Sequence, residues 1–202
     1  MDLKLYFDPV DQSLSNRSFS SDSFIQSVYL NENKMPEIKL MDIAIVGLTE
    51  TRGSQSMKST GVKLIREKLY ELKKGAGTCN VVDLGNLRNG PDLEETYKRL
   101  QTVCQYLISK DILPMMIGGS HDLDIGQYLA YEEEDKMVSI INVDSRFDLN
   151  DKSSSDPNES HIHKIFTHEP NYLFNYSQLA HQSYLVNASA TKVLEQLNFS
   201  PV

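Results

Sequence analysis

Apolar residues gather in short runs that end abruptly at glycine, aspartate or a polar cluster, and stretches of helical spacing separate the runs. Ile43-Ala44-Ile45-Val46-Gly47-Leu48 is the first clear run. Asn80-Val81-Val82-Asp83-Leu84-Gly85 follows, then residues 112–118 and 138–143. Such runs read as strands buried on both faces of a parallel sheet. Ser183-Tyr184-Leu185-Val186 is expected to form a last strand. Between the runs the period changes. Val62, Ile65, Leu69 and Leu72 share one face of a helix that Gly75 and Gly77 stop. Pro91, Asp92 and Leu93 open a longer helix with Tyr97, Leu100, Val103, Cys104, Leu107 and Ile108 on its apolar face. A third helix begins near Asp122, carries Ile125, Tyr128 and Leu129, and runs out in the acidic stretch 132–135. Short helices are expected at 163–167 and 191–197, and polar loops at 49–60 and 152–160. Alternation of strand and helix calls for an α/β fold whose parallel sheet is covered on both faces. Residues 1–40, Ser-rich at 12–23 and turn-like at 31–36, read as an N-terminal extension to a domain at 41–202.

Composition narrows the partner more than the fold. The chain has 202 residues, enough for one α/β domain that buries roughly 70% of its unfolded surface. A formal charge of −8 and a pI near 5.1 argue against nucleic acid or an anionic membrane and suit a metal ion or cationic substrate. No stretch reaches the roughly 18 apolar residues of a membrane span, and residues 1–20 lack the apolar core of a secretory signal. Cys79 and Cys104 lie far apart with no Cys-x-x-Cys, so both read as buried thiols in a reducing cytoplasm.

Two of the apolar runs end in chemistry. The run at 112–118 leads into Gly118-Gly119-Ser120-His121-Asp122, and that at 138–143 into Asp144-Ser145-Arg146-Phe147-Asp148. Ligands of parallel sheets collect beyond the carboxyl ends of the strands, so His121, Asp144 and Asp148 are expected to meet in one crevice. Each has a plainer reading: His121 as a core histidine, Asp144 as a turn cap, Asp148 as a surface residue. Asp122 reads as the N-cap of the following helix. His161 and His163 share one side of an extended segment and read as a solvated pair, with both, and His163 first, as candidates for holding substrate or exchanging a proton. Gly118-Gly119 lacks the third glycine of a dinucleotide fingerprint. Ser120 lacks the glycine at 122 that a nucleophile elbow would need.

Gly118-Gly119-Ser120-His121-Asp122 resembles the Gly-Gly-x-His motif of the arginase, agmatinase and formimidoylglutamase family, the ureohydrolases. Asp144-Ser145-Arg146-Phe147-Asp148 resembles its Asp-Ala-His-x-Asp motif, and the Phe147-Asp148-Leu149 ending looks most like the formimidoylglutamase branch. Asp83-Leu84-Gly85-Asn86, the helix from Gly61 to Leu69 and His181-Gln182-Ser183-Tyr184 also resemble the family's layout, over residues 41–190 in all. The resemblance implies a three-layer α/β/α sandwich with a mostly parallel sheet. It also implies a pair of Mn(II) ions that activate water for attack on a guanidinium or formimidoyl carbon. By the same resemblance His121, Asp144 and Asp148 are metal ligands, with Asp144 shared between the ions.

The chain departs from that pattern in two places. Arg146 stands where the family has a histidine ligand, and a guanidinium has no lone pair to offer. The later Asp-x-Asp motif that supplies further ligands is absent between residues 170 and 202 and would lie beyond Val202. The chain is therefore expected to hold one Mn ion or none and to resemble an incomplete ureohydrolase. Its expected reaction is hydrolysis of a C–N bond in a linear amidine of formimidoylglutamate, arginine or agmatine type, with little turnover by this chain alone. Arg146 is expected to replace an ion by pairing with Asp144 or Asp148. The alternative is a non-catalytic binding or assembly protein that keeps the fold. Expected partners are a small amidine or amino-acid-like ligand and further copies of the chain, in a cytoplasmic homo-oligomer.

Overall fold

The computed structural model describes residues 1–58, 61–150 and 156–197. Parts of the two expected polar loops, at 59–60 and 152–155, lie outside the described residues. In chain order the elements are β1 (Phe7–Asp8), α1 (Gln12–Ser15), β2 (Val28–Leu30), β3 (Ile43–Leu48), α2 (Val62–Glu71), β4 (Val81–Leu87) and α3 (Leu93–Ile108). These are followed by β5 (Leu113–Gly118), α4 (Asp124–Glu133), β6 (Val138–Val143), α5 (His161–Phe166), β7 (Leu173–Leu179) and α6 (Ala188–Gln196). Local chemistry sets several of these ends. Asp92 caps α3 by accepting the Glu95 N–H at 2.8 Å, with Glu94 and Glu95 in the first turn where the helix dipole favours negative charge.

The last strand is not at 183–186. Ser183–Leu185 forms a 3-10 turn with Tyr184 80% exposed, and β7 lies ten residues earlier. Leu173–Leu179 is interrupted by Asn175, Ser177 and Gln178, so it lacks the continuous apolar run that marked the other strands. Cys79 is exposed and only Cys104 is buried, because Cys79 precedes β4 while Cys104 is on the core face of α3.

The main sheet has the order β1-β4-β3-β5. β3 pairs parallel with both β4 and β5. The other edge of β4 is shared by two short strands from the first 40 residues: β2 runs parallel to Val81–Asp83, and β1 antiparallel to Asn86 and Leu87. β6 and β7 form a separate parallel pair. Alternation along the strands sorts the layers. Ala44, Val46 and Leu48 of β3 and Val82 and Leu84 of β4 pack with Leu100, Cys104 and Leu107 of α3 in the largest apolar cluster. Asp83 and Gly47, one step out of phase, face α2, where a Cβ on Gly47 would come within 2.7 Å of Arg66 Nη2. Helices therefore cover both faces, as the α/β reading required. A second cluster of Phe147, Leu149, Ile162, Tyr176 and Leu194 ties β7 to α5 and α6.

Candidate metal centre

β5 ends in two glycines at φ +80° and +81°, a backbone that side chains strongly disfavour. A Cβ on Gly119 would also lie 2.5 Å from Leu123 Cδ1. This turn carries Ser120 N–H to the Glu50 carbonyl (3.1 Å) and places His121 at the start of a 3-10 turn, His121–Leu123, ahead of α4. The His121 N–H donates to Asn158 Oδ1 at 2.7 Å, which fixes the turn against the loop before α5.

β6 delivers the carboxylates. Asp144 closes a local turn, its Oδ1 accepting the Arg146 N–H at 2.9 Å. Gln178 of β7 braces that turn by donating to the Asp144 and Arg146 carbonyls at 2.9 and 3.0 Å. Phe147 and Leu149 are both buried in the second apolar cluster, and Asp148 between them takes a left-handed conformation at φ +47°. The Asp148 carboxylate thereby reaches His121, with Oδ2 at 3.0 Å from Nδ1. Asp144 Oδ2 lies 3.6 Å from the same nitrogen. One donor atom from each of His121, Asp144 and Asp148 falls within 4.8 Å of the other two. The hydrogen bond that His121 donates to Asp148, with the charges of Asp148 and Asp144, raises the His121 pKa above 6.5 despite partial burial.

The structure also redirects several residues. Arg146 turns away from both aspartates and pairs with Glu159 at 3.4 Å, so its charge does not fill the space beside them. Its own backbone is committed to the Asp144 turn, and the side chain leaves toward solvent, 54% exposed. Asp122 is not an N-cap. It lies within the 3-10 turn, fully buried, and accepts the Tyr97 hydroxyl. Burial, then the Asp122 carboxylate, pushes the Tyr97 phenol far above its ordinary value and keeps it a donor. The second Asp122 oxygen has no partner among the described residues, and a Cβ on Gly53 would lie 2.0 Å from it.

His161 and His163 do not form a solvated pair. The segment is helical, so positions two apart point in nearly opposite directions. His161 is 2% exposed, with its ring centroid 5.9 Å from that of His121 and its Nδ1 3.9 Å from Asp148 Oδ2. Nδ1 is 2.9 Å from the Asn158 carbonyl, which only accepts, so Nδ1 is the donor in that contact. Nε2 in turn lies 3.8 Å from Asp124 Oδ2. The half-buried His163 ring makes no hydrogen bond or ion pair among the described residues. Ile162 and Ile165, three apart, were the signal for a helix beginning at 161 with His161 beside its buried face.

Two carboxylates and one imidazole, grouped at the ends of two strands, are a donor set suited to a hard or borderline divalent ion such as Mn(II). His121, Asp144 and Asp148 fit one such ion by type and spacing.

Residues 41–193 match the family described as the Arginase family. The chain is 25% identical over 145 residues to the formimidoylglutamase of Streptococcus gordonii, a match covering 66% of this chain and 44% of the relative. The chain thus spans less than half the length of that relative. Among solved structures, formimidoylglutamase from Bacillus subtilis superposes with a TM-score of 0.77 at 14% identity, covering 93% of this chain and 62% of the other. A Trypanosoma cruzi formiminoglutamase solved with Mn2+ gives a TM-score of 0.70 at 18% identity, covering 80% and 60%.

Proposed function

This chain belongs to the arginase family, and from that premise we propose that His121, Asp144 and Asp148 hold Mn(II) as part of a site for hydrolysing the C–N bond of a linear amidine. A formimidoylglutamate-like substrate is the first choice, since the Streptococcus gordonii relative and both structural neighbours carry that name. The observation that supports the reading is the convergence of the three donor atoms within 4.8 Å. Bound Mn(II) would supply a Lewis acid that lowers the pKa of water and stabilises negative charge on oxygen during attack on the amidine carbon. The chain's own residues orient that centre. The Asp144 turn leaves Oδ2 free, the left-handed Asp148 aims its carboxylate, and Asn158 fixes the His121 backbone. His163 remains the candidate for holding substrate or exchanging a proton, and the buried His161, its ring 5.9 Å from that of His121, joins it. We place the protein in the cytoplasm as a homo-oligomer.

A non-catalytic binding role is the second reading, favoured by Arg146 at the position of a ligand histidine and by its turn toward Glu159. One experiment separates the two. Mn(II) titration followed by electron paramagnetic resonance is expected to show saturable binding that Asp148→Asn removes. Formamide release from formimidoylglutamate, with urea release from arginine and agmatine as comparisons, is expected to require Mn(II). A folded protein that neither binds Mn(II) nor releases formamide would leave the binding role standing.

A further inference from the structure

We propose that Asn158 is a positioning residue for the candidate metal centre, gripping His121 and His161 from one point of the chain so that the ligand turn keeps its shape. This role rests on the reading of His121 as a Mn(II) ligand and adds to it a residue outside the donor set. Asn158 is half-buried in the 3-10 turn Pro157–Glu159, and three of its polar groups reach three different segments. Its Oδ1 accepts the His121 N–H at 2.7 Å, and its backbone carbonyl accepts from His161 Nδ1 at 2.9 Å. Its own N–H donates to the Gly53 carbonyl at 2.9 Å. The turn after β5, the first turn of α5 and the loop after β3 thus meet on one residue.

Asn158 is itself firmly seated. Asp156 caps its turn, with Oδ1 accepting the Asn158 N–H at 3.1 Å and Oδ2 the Gln55 N–H at 3.2 Å. Pro157 fixes the backbone just before it. The Glu159 carbonyl, just after, accepts the N–H of Asn150 at 3.0 Å, two positions past Asp148. Gly53 lies directly against the neighbour of His121, since a Cβ there would fall 2.0 Å from Asp122 Oδ1. The segment 156–159 therefore joins both turns that carry the donor atoms.

The side-chain contact matters because the ring contacts cannot do the same work. His121 Nδ1 faces Asp148 and Asp144 at 3.0 and 3.6 Å. A cation held between these groups competes with the Nδ1 hydrogen bond, whereas the Asn158 contact is on the backbone and persists. Losing a partner outside the donor set costs roughly 10–100-fold in metal affinity.

The test compares Asn158→Ala and Asn158→Asp with the unsubstituted 202-residue chain, first free of metal. Alanine removes the acceptor and aspartate keeps one. Amide hydrogen exchange read by NMR is expected to quicken about tenfold at His121 in Asn158→Ala and to return to its original rate in Asn158→Asp. The amide of residue 158 is expected to stay slow in both, because its bond to Gly53 runs from backbone to backbone. Mn(II) affinity, read by electron paramagnetic resonance, is expected to fall about tenfold in Asn158→Ala and to recover at least to the original value in Asn158→Asp, with urea midpoints unchanged. Unaltered exchange at His121 in Asn158→Ala, or fast exchange that Asn158→Asp does not restore, would overturn the proposal. So would opening of the residue 158 amide together with that of His121, because the side chain would then hold the loop and not the histidine. Undiminished Mn(II) affinity in Asn158→Ala would overturn it as well. Failure of the unsubstituted chain to bind Mn(II) would instead overturn the metal reading, and the exchange rates would still decide whether Asn158 holds His121.

Discussion

Asp83 and the pair Asp144 and Asp148 all stand on or just beyond parallel strands, and the chain treats them in opposite ways. Asp83 is fully buried and surrounded by donors. Arg66 Nε and Nη2 reach it at 2.8 and 2.9 Å, the Tyr70 hydroxyl at 2.7 Å and the Gly85 N–H at 2.9 Å. Burial, then the Asp83 charge, pushes the Tyr70 phenol far above its ordinary range, so it stays a donor. Asp144 and Asp148 both face the His121 imidazole, Asp148 has only the more distant His161 ring besides, and the nearby guanidinium of Arg146 is turned to Glu159. The first cluster carries its counter-charge within the chain and needs nothing more. The second has more negative charge than its partners cancel, and that surplus makes it a candidate site.

The sharpest way to break the comparison is to remove the buried guanidinium. Arg66→Met leaves Asp83 charged, buried and unpaired, and is expected to cost about 3–5 kcal/mol in urea unfolding. Arg66→Met combined with Asp83→Leu should recover much of that loss, because no stranded charge remains. A loss below about 1 kcal/mol for the single variant would mean that the cluster is not the structural unit described.

At the second cluster stability and ligand affinity should separate. Asp144→Asn keeps the local turn and removes one of two crowded charges, so unfolding free energy is expected to change by less than about 1 kcal/mol. Mn(II) affinity is expected to fall by tenfold or more, by roughly the measure that loss of even an outer partner can produce. Stability loss without loss of Mn(II) binding would make this cluster as structural as the first. Arg146→His sharpens the same contrast. Arg146 is exposed and its pair with Glu159 is a surface bridge, so stability should stay nearly unchanged while Mn(II) binding strengthens. Isothermal titration of both variants against the unsubstituted chain reads the difference.

The arginase-like fold was legible where burial is continuous. β3 and β6 coincide with their apolar runs, and α3 begins where Asp92 could cap it. β7 escaped because Asn175, Ser177 and Gln178 break the run, and its pairing with β6 is a tertiary fact. β1 and β2 escaped for the same reason, since strands of two or three residues are defined by their partner β4 and not by any period. The three clustered residues of the site could be found because the turns after β5 and β6 resemble family motifs. The burial of His161 beside His121 was missed because its segment was read as extended when it is helical. Arg146 pairs with Glu159 thirteen positions away, which residue type and spacing do not encode.

The smallest expected effect concerns how each kind of cluster answers pH. Glu50 is a second balanced carboxylate, 1% exposed, with Arg52 Nη2 at 2.5 Å and the Thr96 hydroxyl at 3.1 Å. Burial tends to raise its pKa, but the Arg52 side chain and N–H and the Thr96 hydroxyl outweigh burial and hold it below 4.5. A lowered folded value means that the stabilisation is complete above pH 4.5 and disappears as pH falls through that lower value. His121 has the opposite sign. Its raised folded value gives stabilisation that is complete below pH 6.5 and is lost as pH rises through the folded value. In the metal-free protein, Glu50→Gln should therefore flatten the acid limb of the stability curve, and His121→Gln should flatten the neutral-to-alkaline limb. Urea midpoints measured across the pH range would show the two limbs separately. If Glu50→Gln leaves the acid limb unchanged, Arg52 does not hold that carboxylate, and the contrast rests on Asp83 alone.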